Sequence, residues 1–338
     1  MAKYIVKRVL YMAVVLLLLS MLVYLVYNLL PVDKAADMAM QEIAANKHLN
    51  YAERYLYWQR RYGLDGGLVT RYLRWIGAVP FYDGAFKGLL QGNLGTSVSY
   101  GKPVAEILKE PLLNTLFLNL IATVLAFAIT IPLGVFCAKN RGSKRDTAIQ
   151  IGTIVGYSMP AFIIAILFIW FFAVKLNIFP VSGMSSVGKD YTGFRAVLDR
   201  LYHFALPLLV MTFCSLGGMT RYVRASMTEA LSLDCIRTAK AKGLSERFII
   251  GRHAFPNALI PIVSIAVGWL TGVFSGSIMI ENIFGINGIG KVYFDALTAN
   301  DNEIALAMQM FYILLALFGN LLVDIVYGLI DPRIRVHD

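Results

Sequence analysis

Gly285-Ile-Asn-Gly-Ile-Gly290-Lys291 has the G-x4-G-K spacing with which glycine-rich loops cradle phosphates. The next residue is Val292, so the hydroxyl that would take Mg²⁺ is missing, and no strand precedes the loop. These glycines are read as permitting a sharp turn, and nucleotide is not expected on this chain. The four histidines, His48, His203, His253 and His337, include no two at metal-ligand spacing, and no cysteine pairs with them. The serines and aspartates suggest no nucleophile–base arrangement. No catalytic site, no metal site and no cofactor is expected, and the chain is not read as an enzyme.

A second segment, Asp234 to Pro256, is basic and more promising. Its longest apolar run is Phe248-Ile249-Ile250, so it cannot cross a bilayer. Ile236, Ala239 and Gly243 recur as on one helix face. Gly243 would permit a bend, Ser245 would N-cap a second helix, and Glu246 would sit in its first turn. Pro256 is expected to close the unit. A helix–bend–helix at a membrane surface is a mechanical part that another protein can push.

Apolar blocks must position these segments. Hydrophobic residues make up 58% of the 338, charged residues 15%, and mean hydropathy is +0.63. Six blocks stand out: Val9–Leu30, Leu113–Ala138, Thr147–Val174, Phe204–Met219, Ala258–Ile283 and Ile304–Ile330. Most exceed the ~20 residues a spanning helix needs. Phe204–Met219 is short and would extend from Tyr202 to Tyr222. Backbone groups in lipid must satisfy one another, so the fold class is all-α, a polytopic membrane protein with six transmembrane helices.

With a cytoplasmic N-terminus, the inner segments 1–8, 139–146, 220–257 and 331–338 hold 16 Lys/Arg in 62 residues. The outer segments hold 15 in 131. This places both termini inside. The net charge of +10 therefore reports orientation and an anionic inner leaflet, with no nucleic-acid partner. The N-terminus reads as a retained first span rather than a cleaved signal peptide. Cys137, Cys214 and Cys235 avoid the outer loops, so no disulfide framework is indicated.

The organisation follows: a first span in 1–30, an extracytoplasmic region in 31–112, and a five-helix core in 113–338 containing the cytoplasmic loop 220–257. In the outer region Tyr51–Tyr62 has helical spacing, Gly63–Gly67 breaks it, and Arg71–Trp75 resumes it. It reads as an amphipathic helix lying on membrane lipids, the alternative being a surface for a partner protein. In the fifth span Ser264, Gly268, Gly272 and Gly276 form a small-xxx-small stripe, suited to packing within the chain or against a second subunit. Glu281 and Asp324 are acids within apolar spans, and a structural or a pathway-lining role is open for each.

The basic segment resembles the cytoplasmic loop of the membrane subunits of ABC-type importers. Their pattern is Glu-Ala-Ala, three residues, Gly, nine residues, Ile-x-Leu-Pro. Here Arg237-Thr238-Ala239 occupies the triplet, Gly243 the glycine and Pro256 the proline, while His253 and Phe255 replace Ile and Leu. The departures match the peptide-transport branch, whose habitual Arg-Thr-Ala-x-Ala-Lys-Gly-Leu is Arg237–Leu244 here and includes Lys240. Tyr4–Arg8, Gly92–Ser97, His203–Pro207, Asn257–Pro261, Glu281–Phe284 and Asp331–Arg335 resemble that branch too; in Gly92–Ser97, Asn93 stands in place of the usual Asp. The likeness is weakest in 32–60 and 79–91.

That resemblance implies the type I permease fold of ABC importers and one half of a pore for oligopeptides or dipeptides. It implies a second homologous permease subunit, two cytoplasmic ATPases that use ATP and Mg²⁺, and an extracytoplasmic peptide-binding protein, in a bacterial inner membrane. The segment Arg237–Gly251 would be the coupling helix. Related permeases also carry nickel chelates, which leaves the cargo open. A stand-alone ion-coupled transporter is the competing class, but it would need ionisable groups deep in the bundle and repeated halves.

Overall fold

The computed structural model describes residues 2–31 and 33–330, without the side chains at 2–5, 264, 270–271 and 327–330. The Asp331–Arg335 motif lies outside the described residues. Among these the chain is helical, with no β-strand.

One compact unit comprises the residues up to Pro111 together with Val292–Leu317. It opens with α1 (Ala2–Asn28), whose Leu10, Val14, Leu18 and Leu22 are exposed, as a lipid-facing helix requires. Three helices follow, α2 (Lys34–Ala45), α3 (Tyr51–Arg61) and α4 (Leu68–Ile76). The Asp33 carboxylate accepts from the amides of Ala35 and Ala36, and the Asn50 side chain from Ala52, so α2 and α3 start at side-chain caps. The expected break at Gly63–Gly67 is present, and α4 packs its Tyr72 and Trp75 rings on Tyr24 of α1. The α3 helix buries no residue.

The other unit comprises Leu112–Lys291 and the chain from Phe318. It contains most of α5 (Val104–Lys139), then α6 (Lys144–Ser158), α7 (Ala161–Phe168) and α8 (Phe194–Ala230). The third apolar block is not straight: α6 and α7 meet at 105°. Pro160 causes this, since it holds Met159 in an extended conformation and cannot continue α6. The fourth block is embedded in a 37-residue helix, with Gly217 so close to α6 that a Cβ there would overlap the Thr153 carbonyl oxygen.

Two hydrophobic clusters hold this unit. One gathers Leu118, Ile164, Phe204, Leu206 and Phe284. The other gathers Ala138, Val223, Met227, Ile236, Ile249 and Ile262. Between and beyond them run α9 (Asp234–Ala241), α10 (Glu246–Ile249), α11 (Phe255–Gly272) and α12 (Ile278–Ile283). The last described helices are α13 (Ile289–Thr298) and α14 (Asn302–Ile330). Among the described residues five helices are long and apolar enough to span a membrane, and the bent α6–α7 pair makes up to six.

The expected helix over Ala258–Ile283 is not formed as one piece. The spanning helix begins earlier, at Glu246, and α11 stops at Gly272. Asn119 of α5 explains the stop: its amide donates to the carbonyls of Val273 and Ser275, each at 2.8 Å, taking up acceptors that a continuing helix would use.

Candidate functional site

The basic segment folds as two short helices about a glycine. The amide of Gly243 donates to Lys240 O (3.0 Å) and that of Leu244 to Ala239 O (3.3 Å), the paired bonds of a Schellman motif. The motif requires a left-handed residue, and Gly243 has φ +73°. Open space surrounds its Cα, so the demand for glycine there is conformational, not steric. Ser245 occupies the N-cap position, but its side chain makes no capping bond. Glu246 lies in the first turn as expected and meets Lys139, the last residue of α5, at 2.8 Å.

Pro256 does not close the unit. A π-helical turn, Ile250–Ala254, joins α10 to α11, and the helix runs on through the proline. The wider turn accommodates a residue that lacks an N–H and crowds the carbonyl four residues back.

The two faces of this element differ. Ile236, Ala239, Ile249 and Ala254 are buried in the second cluster, against the ends of α5, α8 and α11. Arg237, Thr238, Lys240, Gly243, Leu244, Glu246 and Phe248 are exposed. Arg237 pairs with Asp234 at 3.2 Å on an open surface. The element is thus bound to the bundle by apolar contacts and presents an outer face bearing charges together with Leu244 and Phe248.

An anchor not anticipated from the sequence lies nearby. Asp146 is 1% exposed and accepts from Arg224 Nε (2.8 Å) and Nη2 (2.7 Å), from Gln150 (2.9 Å) and from the amide of Gly142 (2.9 Å). The signal was available: Ser143-Lys-Arg-Asp146 reads as a capping box, and Ser143 Oγ does accept from the Asp146 amide. The Arg224 partner, 78 residues away, was not legible.

The phosphate-loop lookalike is occupied from within. Glu281 is 1% exposed; its Oε2 accepts from the Lys291 amide (2.8 Å) and its Oε1 from Thr115 Oγ1 (2.9 Å) and the Ser277 amide (3.2 Å). Thr115 Oγ1 in turn accepts from the Ile289 amide (2.9 Å), and Asn114 donates to Asn287 O (2.8 Å). A Cβ at Gly288 would overlap the Glu281 carboxyl and come within 2.6 Å of Thr115 Oγ1. Backbone donors of a glycine loop converge on an acidic side chain here, and it is the chain's own. Asn114, Thr115 and Asn119, three polar side chains at the start of an apolar span, were the overlooked signal.

The small-residue stripe is divided. Gly268 and Gly272 belong to α11, and a Cβ at either would meet open space. Gly276 lies beyond the helix, so close to Gly290 that a Cβ would overlap its backbone nitrogen. The Ser264 side chain lies outside the described residues. Asp324 is half-buried in α14.

In the first unit a cavity of about 570 Å³ opens beside the last turns of α1. Tyr62 lines it, and burial, aided by the charge of Glu303, pushes its phenol up to about 12.

Long apolar helices joined through an exposed basic helix pair define a polytopic helical membrane protein. The chain belongs to the family described as the binding-protein-dependent transport system inner membrane component, which matches residues 130–336; the corresponding N-terminal family matches residues 1–119. It is similar to the oligopeptide transport system permease protein AppB of Bacillus subtilis (strain 168), with 33% identity over 99% of this chain and 100% of that protein. It is also similar to the dipeptide transport system permease protein DppB of the same organism, with 32% identity over 100% and 99%. Among solved structures, the inward-facing MetNI methionine ABC transporter aligns with TM-score 0.48 and 19% identity, over 66% of this chain and 97% of that one. The chain is a permease component of an ABC-type transporter and adopts the fold of that family, a transport subunit rather than an enzyme.

Proposed function

We propose that this chain forms half of the translocation pore of an ATP-driven importer of oligopeptides or dipeptides. A second homologous permease completes the pore, two cytoplasmic ATPases that consume Mg·ATP drive it, and an external binding protein delivers the peptide. Both termini and the segment 234–256 face the cytoplasm, in line with the concentration of lysine and arginine in those connections.

The observation that carries this reading is the two-faced helix pair. Its inner face is fixed to the ends of three long helices, so a push on its outer face tilts them rather than bending a slack loop. ATPase closure is that push, and hydrolysis reverses it. The relatives' names support the peptide cargo.

Co-isolation tests the reading directly. The exposed thiol of Cys235 lies on the proposed contact helix. A bifunctional thiol reagent should link it to an ATPase subunit, and proteoliposomes of the assembled complex should take up peptide only with ATP. Uptake by this chain alone, driven by an ion gradient, would refute it.

A further inference from the structure

The cavity in the first unit has a charge inventory that selects its occupant. It adjoins Tyr24, Tyr27 and Asn28, in the last turns of the first apolar helix, the level at which a spanning helix meets lipid headgroups. Its three carboxylates are committed. Glu303 pairs with Lys34 at 2.7 Å, Asp83 pairs with Lys87, and Asp33 caps α2 while accepting from Tyr55 Oη at 2.9 Å. Two of its four cations, Lys34 and Lys87, are thereby neutralised.

The other two are not. Arg61 donates to Tyr57 Oη (2.6 Å) and lies over the Trp58 ring, and Arg71 Nε donates to Gly66 O (3.0 Å). Among the described residues no carboxylate lies within ion-pair distance of either guanidinium, although both line the cavity. Tyrosine rings with Trp75 and Phe81 line much of the wall, and Gln59, Asn93 and Asn302 add side-chain amides. The cavity therefore offers two planar donor forks for an oxyanion and an aromatic rim for an apolar body, and its four cations outnumber its three carboxylates. The surplus of positive charge favours an anionic headgroup.

We propose that this cavity binds the headgroup of an anionic phospholipid, its phosphate held by Arg61 and Arg71 at the outer end of α1. The assignment of sides rests on the orientation given under the proposed function. The volume, about 570 Å³, is in the range of small-molecule sites and accommodates a glycerophosphate headgroup with the upper part of its chains.

The test uses the purified importer in phosphatidylcholine nanodiscs containing a trace of phosphatidylglycerol that carries a diazirine on its headgroup. Photolabelling should fall on the segment from Tyr62 to Trp75 and be competed by unlabelled phosphatidylglycerol but not by added phosphatidylcholine. The pair Arg61→Gln and Arg71→Gln should reduce it by about tenfold or more, as expected for two lost charge-assisted contacts. The Arg61→Lys and Arg71→Lys pair, which keeps the charge, should retain a substantial part and guards against a folding artefact. Labelling that both lipids compete equally, that survives the glutamine pair, or that a photoreactive dipeptide gives in place of the lipid would overturn the proposal. ATP-driven peptide uptake by the same preparation reports separately on the transport reading.

Discussion

Two glycine turns in the Leu112–Lys291 unit face opposite surroundings. At Gly288–Lys291 the backbone approaches the Glu281 carboxylate and the Thr115 hydroxyl, and the amides of Ile289 and Lys291 have buried partners. At Gly243 nothing stands near the Cα, and the flanking Lys240, Leu244 and Glu246 are exposed. The first turn needs glycine for space, the second for a left-handed φ. A glycine loop with converging donors binds an external anion only while those donors are free. In the first turn they are spent on a side chain of the same protein, and the turn left open toward solvent is the one that can receive a partner.

The contrast is broken most readily at Glu281. Replacing it by alanine strands the Lys291 and Ser277 amides and the Thr115 hydroxyl in a buried site, at about 1–3 kcal/mol each. The unfolding midpoint of the purified complex should drop sharply; a midpoint within a degree or two of the parent would show the cradle to be dispensable. Gly288→Ala is next, an overpacked contact worth about 1–3 kcal/mol. It should lower the same midpoint, whereas Gly268→Ala, facing open space, should not.

Gly243→Val sharpens the other side. The left-handed conformation should cost about 1–2 kcal/mol, confined to the helix pair, so membrane insertion and the midpoint should hold while function fails. Smallest is Lys139→Met. The Lys139–Glu246 pair is largely exposed, 40% and 57% by side chain, and such pairs contribute about 0–1 kcal/mol. Only a minor, salt-sensitive loss of coupling is expected, measured as ATP turnover at low and high ionic strength.

The legible parts of this molecule are those written in local pattern. The apolar blocks announced the spanning helices, Gly63–Gly67 announced the break between α3 and α4, and Arg237–Gly243 announced the helix pair with its turn. The illegible parts depend on distant partners or on backbone. Glu281 was visible as an acid in apolar sequence, but its site is built by Thr115, 166 residues away, and by amides that have no sequence signature. The end of α11 at Gly272 depends on the Asn119 side chain, which hydropathy reads only as one polar residue in a span. Pro256 misled for a related reason: local rules make proline a stop, but a π turn at Ile250–Ala254 lets the helix pass.

In the proposed function the outer face of the helix pair is the surface through which ATPase motion reaches the pore. Stimulation of ATP hydrolysis by peptide-loaded binding protein, measured on reconstituted importer carrying Gly243→Val, tests this most directly. The variant should insert and assemble as the parent does and lose the stimulation; full stimulation in a correctly assembled Gly243→Val complex would contradict it.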